Sequence, residues 1–115
     1  MNDVTIKLIG YSSSGVDAFL QPIETKTETE ILAVSVPVSR SEFYRAGQLG
    51  INPEYLFEIN PAEYSGQRDI DITENGMVKH LKIYRTYESS ADVLELYCQA
   101  AAGLDPEPVS EGGDD

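Results

Sequence analysis

Apolar and polar residues alternate in twos along most of this chain. Val4, Ile6 and Leu8 fall on one face and Thr5 and Lys7 on the other, the period of a half-buried strand. Residues 31–38, ILAVSVPV, put Leu32, Val34, Val36 and Val38 on one face, with Pro37 marking an edge or the end of pairing. Tyr55, Phe57 and Ile59 alternate up to Pro61, and Leu94, Leu96 and Cys98 alternate against Glu95 and Tyr97. Residues 11–17, rich in Ser and Gly, read as a turn, and residues 18–21 as a short strand at best. Thr25 to Glu30 are polar on every side. They suggest a polar loop over about residues 22–30, with a hairpin reaching into solvent as the alternative.

One hairpin can be placed to the residue. Asn75-Gly76 is the strongest short hairpin signal, because both turn residues must take positive φ. A two-residue turn there pairs Glu74 with Met77 and Ile70 with Leu81. The other face then sets Asp71 against His80 and Asp69 against Lys82, opposite charges directly across the ladder. Ile72 against Lys79 is the mismatch in this register.

The period breaks once, at VSRSEFYRAGQLG, residues 38–50. Ser39 followed by Glu42 is a capping box, with Val38 and Phe43 at the staple positions. Arg45 places a cation in the last turn, and Gly47 and Gly50 offer stops. Two to three turns do not persist alone in water, so the helix must dock. The expected docking side is Phe43 with Ala46 or Leu49; Arg40, Tyr44, Arg45 and Gln48 then face outwards.

These elements predict a mainly β fold. It is a small β-barrel or sandwich-like domain of six to seven short strands with one short helix at about residues 40–49. Residues 1–102 form the single domain. Residues 103–115, with prolines, glycines and five acids, read as a disordered acidic tail.

Charge narrows the function. The chain carries eight Lys and Arg against twenty Asp and Glu, a formal net charge of -12. Tight nucleic-acid binding rests on cations that neutralise phosphates, so a DNA-gripping role is disfavoured. No apolar run approaches a membrane span, and Met1-Asn2-Asp3 lacks a signal-peptide pattern. With a single cysteine and no internal disulfide, the expected setting is inside a cell.

Catalytic chemistry is thin. His80 is the only histidine, and the hairpin register explains it as a surface imidazole beside Asp71. Cys98 shares a face with Leu94 and Leu96, as a buried, inert thiol does. Glu24, Glu28 and Glu30 read as solvated, without the Gly and Asn placement of a calcium loop. There is no Gly-rich phosphate loop. No catalytic, cofactor-binding or metal-binding residues are assigned. Tyrosine is the conspicuous residue, seven against three phenylalanines and no tryptophan, and it is common at interfaces. The interface candidates are Arg40, Glu42, Tyr44, Arg45 and Gln48 of the helix, together with Tyr84.

The order of these features resembles the head–tail joining proteins of long-tailed bacteriophages, also called head closure, head completion or stopper proteins. The resemblance lies in VPVSRSEFYRAGQLGINPEY, residues 36–55: a strand ending at a Val/Pro step, a Ser-containing cap, a helix and an aromatic-rich strand. Glu42, Tyr44, Ala46 and Gln48 match the helix pattern. Gly76 with Leu81-Lys82-Ile83-Tyr84, and Val93 to Cys98, extend the match over about residues 4–98. The polar run Glu24–Glu30, the AEYSGQ segment and the acidic tail depart from it. The resemblance implies a small barrel-like fold without enzyme activity or cofactor. It implies copies that form a ring between the portal and adaptor proteins and the tail terminator, in the virion and in host cytoplasm during assembly. Isolated copies could stay monomeric, and DNA would pass nearby without specific binding or any role for a membrane. A tail-completion or minor capsid protein, another small interaction module, or a small carboxylate-dependent hydrolase are the alternatives.

Overall fold

A computed structural model describes residues 2–16, 18–19, 21–101 and 107–108 of the chain. Strands β1 (Asn2–Val16) and β2 (Pro22–Val36) are followed by helix α1 (Arg40–Gly47) and strand β3 (Pro53–Ile59). A 3-10 turn at Pro61–Glu63 leads to β4 (Asp69–Glu74), β5 (Met77–Ser90) and β6 (Val93–Ala100). The sheet order is β4-β1-β2-β3-β6-β5, and β5 pairs back onto β4, which closes a six-stranded antiparallel barrel. Closure removes most free sheet edges, the standing hazard of small β proteins.

Alternation builds the core. Ile6 and Leu8, Phe57 and Ile59, Ile70 and Ile72, Leu81, and Leu94, Leu96 and Cys98 form one buried cluster. Val4, Tyr55 and Ile83 pack against it. The β4–β5 hairpin has the expected register at every pair, from Glu74↔Met77 to Asp69↔Lys82. Asn75 and Gly76 take φ of 53° and 77°, as that turn demands. Open space surrounds a Cβ at Gly76, so Gly76→Ala meets only backbone strain. It should lower stability by ~1–2 kcal/mol, read as a shift in denaturant midpoint at constant m. An unchanged midpoint would mean the turn relaxes.

Four expectations change. Residues 11–16 belong to β1 rather than to a turn, and Ala18 and Phe19 form a turn rather than a strand. The polar loop of residues 22–30 is strand β2, paired with β1 as far as Val16↔Pro22. The face of β2 is opposite to that expected. Ile31 and Ala33 are buried, while Leu32 is 65% exposed. Both faces of ILAVSVPV are apolar, so period alone could not choose; the pairings Ile6↔Ile31 and Val4↔Ala33 to β1 chose. The expected tail lies outside the described residues except for Glu107–Pro108. These form a short strand, β7, against Met77 and Val78.

One element runs on beyond its strand pairing with the barrel. β1 meets β4 only over Ile6–Ile9, and β2 meets β3 only over Val34–Val36. Residues 10–16 and 22–30 pair only with each other, as a ribbon. Each strand has 15 residues, roughly 50 Å at 3.3–3.4 Å per residue, close to the molecule's 51 Å long axis. Tyr11 and Thr25 to Glu30 are exposed on it.

Candidate functional site

The period-breaking helix is the centre of the polar chemistry. Ser39 is its N-cap in extended conformation, and its hydroxyl accepts the Glu42 backbone N–H at 3.1 Å. That is half of the capping box. The Glu42 carboxylate does not complete it but turns inwards, with the residue 5% exposed. Oε1 accepts Arg45 Nη2 at 2.8 Å and Arg85 Nη2 at 2.9 Å. Oε2 accepts the Tyr84 hydroxyl at 2.6 Å and Arg85 Nε at 3.3 Å. One helical carboxylate thus ties α1 to β5.

A β-bulge makes this possible. Strict alternation from Leu81 and Ile83 would aim Arg85 into the core. The register instead runs Ile83↔Cys98 and then Arg85↔Tyr97, so Tyr84 is the extra residue on β5. A bulge re-aims side chains in this way. Tyr84 and Arg85 both reach the outer wall beside Tyr97. The Tyr84 and Tyr97 rings tilt at a 6.2 Å separation, and the Arg85 guanidinium lies 3.9 Å from the Tyr97 ring centre. Across the wall the row reads Val36↔Leu56↔Tyr97↔Arg85. Leu56 and Tyr97 are buried yet lie outside the core cluster. The helix packs on β3, the strand of Leu56, and Tyr84 and Arg85 lie against Tyr97.

Burial opposes ionisation of Glu42. Hydrogen bonds from Arg85, Tyr84 and Arg45 outweigh it and lower the pKa from 4.5 to about 2. Burial and the bond to Glu42 push the Tyr84 phenol well up, and burial with the bond to Glu95 pushes Tyr97 up to about 12. Tyr84→Phe removes one of the charge-assisted bonds and leaves both arginines. The expected loss is ~1–2 kcal/mol in a denaturant titration. A neutral result would show that the arginines alone hold the carboxylate.

The expected docking side of α1 is therefore half right. Ala46 is buried, but its companion is Glu42, not Phe43 or Leu49. Phe43 is 45%, Leu49 69% and Tyr44 73% exposed. Polarity is inverted: the helix buries a carboxylate and shows its large apolar groups to solvent. Of the six interface candidates, Arg40, Tyr44 and Gln48 are exposed, and Arg45 is half-exposed while bonded to Glu42. The other two, buried Glu42 and half-buried Tyr84, are bonded to one another. Arg85 and Tyr97 were missed. The available signal was a cation at an inward-facing position of a core strand, since an uncompensated charge there is costly and marks a register break.

The other sequence candidates lie apart. His80 Nδ1 is 2.7 Å from Asp71 Oδ1, both half-buried, as the hairpin register required. They edge a cavity of about 560 Å³ that also meets Lys7 and Lys26. Those lysines are drawn to Glu28, at 3.8 and 3.3 Å. Cys98 is fully buried, and burial pushes its thiol pKa strongly up, away from nucleophilic use. Tyr55 stacks on Phe57 at 5.4 Å and donates to Glu74 across the end of the barrel. Among the described residues no cluster of metal-ligating side chains occurs, and no helix is long and apolar enough to cross a membrane. No known protein family and no curated protein matches the chain.

Proposed function

We propose that the chain is a non-enzymatic structural subunit of a tailed-phage particle. It forms a ring at the head–tail connector that closes the DNA-filled capsid and offers the tail a docking surface. The observation that carries this reading is the β1–β2 ribbon projecting from a closed barrel. A lone two-stranded ribbon is marginal in water, and it gains stability when neighbouring molecules brace it. A projecting arm on a rigid barrel therefore suits a subunit that works inside an assembly. The resemblance of residues 36–55 to head–tail joining proteins names the kind of assembly. Portal and adaptor proteins on one side and a tail terminator on the other are the partners it implies.

The charge supports the same reading. DNA leaving a capsid must pass its connector without adhering. A subunit with net charge -12 offers few phosphate contacts and repels the duplex over a Debye length.

The test is a phage carrying a deletion of this gene, complemented by a tagged copy. Electron microscopy is expected to place the tag at the neck of complemented particles. Without the protein, filled heads should lose DNA and lack tails. Particles that retain DNA and join tails normally in its absence would overturn the proposal.

A further inference from the structure

Two surfaces are complementary to each other and have no partner among the described residues. The first is the outer side of α1 with the turn after it. Phe43, Tyr44 and Leu49 are exposed there, and Arg40 carries no ion pair among the described residues. Large exposed aromatics beside an arginine have the composition of an interface centre. On a chain with twenty acids, this is a basic and apolar island.

The second surface is a groove of about 270 Å³ where β2, β3 and the start of β6 meet. Leu32, Val34 and Val93 line it, together with the carboxylates of Glu58, Glu63 and Asp92. Those three carboxylates have no ion pair among the described residues. Glu58 also stands directly across from Glu95 on β6. Like charges at opposed ladder positions cost stability, and a cation docked beside them relieves that cost. Leu32 opens into this groove because β2 took the face opposite to its apparent period.

The geometry points to a second copy of this chain as the occupant: the outer side of α1 on one copy docks into the Leu32–Glu63–Asp92 groove of the next. The apolar groups meet apolar groups, and Arg40 meets the acids. Charge complementarity selects a copy of this chain over an arbitrary acidic protein, because both halves of the match are encoded in one sequence. Since the two surfaces differ, the contact can repeat from copy to copy and close into a ring. The inference rests on the proposed self-assembly and names the surfaces that make it.

Cross-linking tests it directly. A Tyr44→Cys protein is mixed with a Val93→Cys protein under mild oxidation, free in solution and on portal rings. Cys98 is fully buried and stays out of the reaction. The expected product is a mixed disulfide dimer that neither variant forms alone. A control pairing Tyr44→Cys with Lys82→Cys, on the exposed part of β5, should give none. In parallel, Arg40→Glu and Glu63→Arg should each weaken association at least about tenfold, and the double variant should recover most of it. Copies that associate without this disulfide, and without response to either reversal, would overturn the surfaces while leaving the ring reading intact. Copies that stay monomeric at millimolar concentration and on portal rings would overturn both. A specific disulfide with no binding to portal rings would support the contact and sink the head–tail reading.

Discussion

Phe57→Ala is expected to cost about 3–5 kcal/mol, the largest loss from any single side chain in the barrel. Phe57 is fully buried, is the largest fully buried side chain among the described residues, and sits in the strand that joins β2 to β6. A closed barrel has no second layer that can slide in to fill the void. The ring of Tyr55, stacked on Phe57, would lose its support as well, and with it the contact from Tyr55 to Glu74 across the barrel end. For a domain near this size each kcal/mol is worth roughly 4–8 °C, so the melting temperature should fall by more than about 10 °C. Calorimetry would show it. A loss below ~1 kcal/mol would mean that the barrel interior collapses around the gap, and that its packing is looser than the fully buried cluster suggests.

The second large effect belongs to Glu42. Glu42→Ala leaves Arg85 and Arg45 beside a partner they no longer have and removes the acceptor of the Tyr84 hydroxyl. Removing one member of a buried pair costs several kcal/mol, but both arginines are partly exposed here and water takes up part of their charge. About 2–3 kcal/mol is the discounted expectation. The signature is local as well as global. Amide exchange should accelerate across residues 42–51, because α1 is anchored to the barrel by this carboxylate and Ala46. Uniform exchange changes, or none, would show that α1 is held by its backbone connections instead.

The acid limb gives the same quantity by another route. The folded pKa of Glu42, about 2, lies below the ordinary 4.5, so the unfolded chain binds more protons between those values. Stability from this group is complete above about pH 5 and is lost as pH falls through 4.5 towards 2. The full span corresponds to about 3 kcal/mol. Glu42→Gln should flatten that part of the wild-type pH profile of unfolding free energy. If the variant and wild-type profiles stay parallel from pH 5 to pH 2, the carboxylate is not the group that titrates.

The sequence by itself determined whatever depended on neighbours a few residues away. The Asn75-Gly76 turn, with positive φ at both residues, fixed the β4–β5 register, and with it the meeting of His80 and Asp71. Ser39 fixed where α1 begins, through one hydroxyl and the N–H three residues on. Alternation placed Phe57, Ile59, Leu94, Leu96 and Cys98 inwards, because the opposite face of those strands carries Glu54, Glu58, Glu95 and Gln99.

Only the tertiary structure decided the rest, for one physical reason. Where both faces of an element are plausible, long-range pairing chooses between them. β2 is apolar on both sides from Ile31 to Val36, and pairing with β1 turned Leu32 out into the groove. The polar residues 25–30 have no periodic preference, and pairing with β1 made them a strand. α1 carries aromatics on one side and a carboxylate on another. A hydrophobic rule alone buries the aromatics. The bulge at Tyr84 brought a guanidinium and a phenol to the wall beneath the helix, and that made burying Glu42 the better solution. The aromatics Phe43 and Tyr44 were left facing solvent.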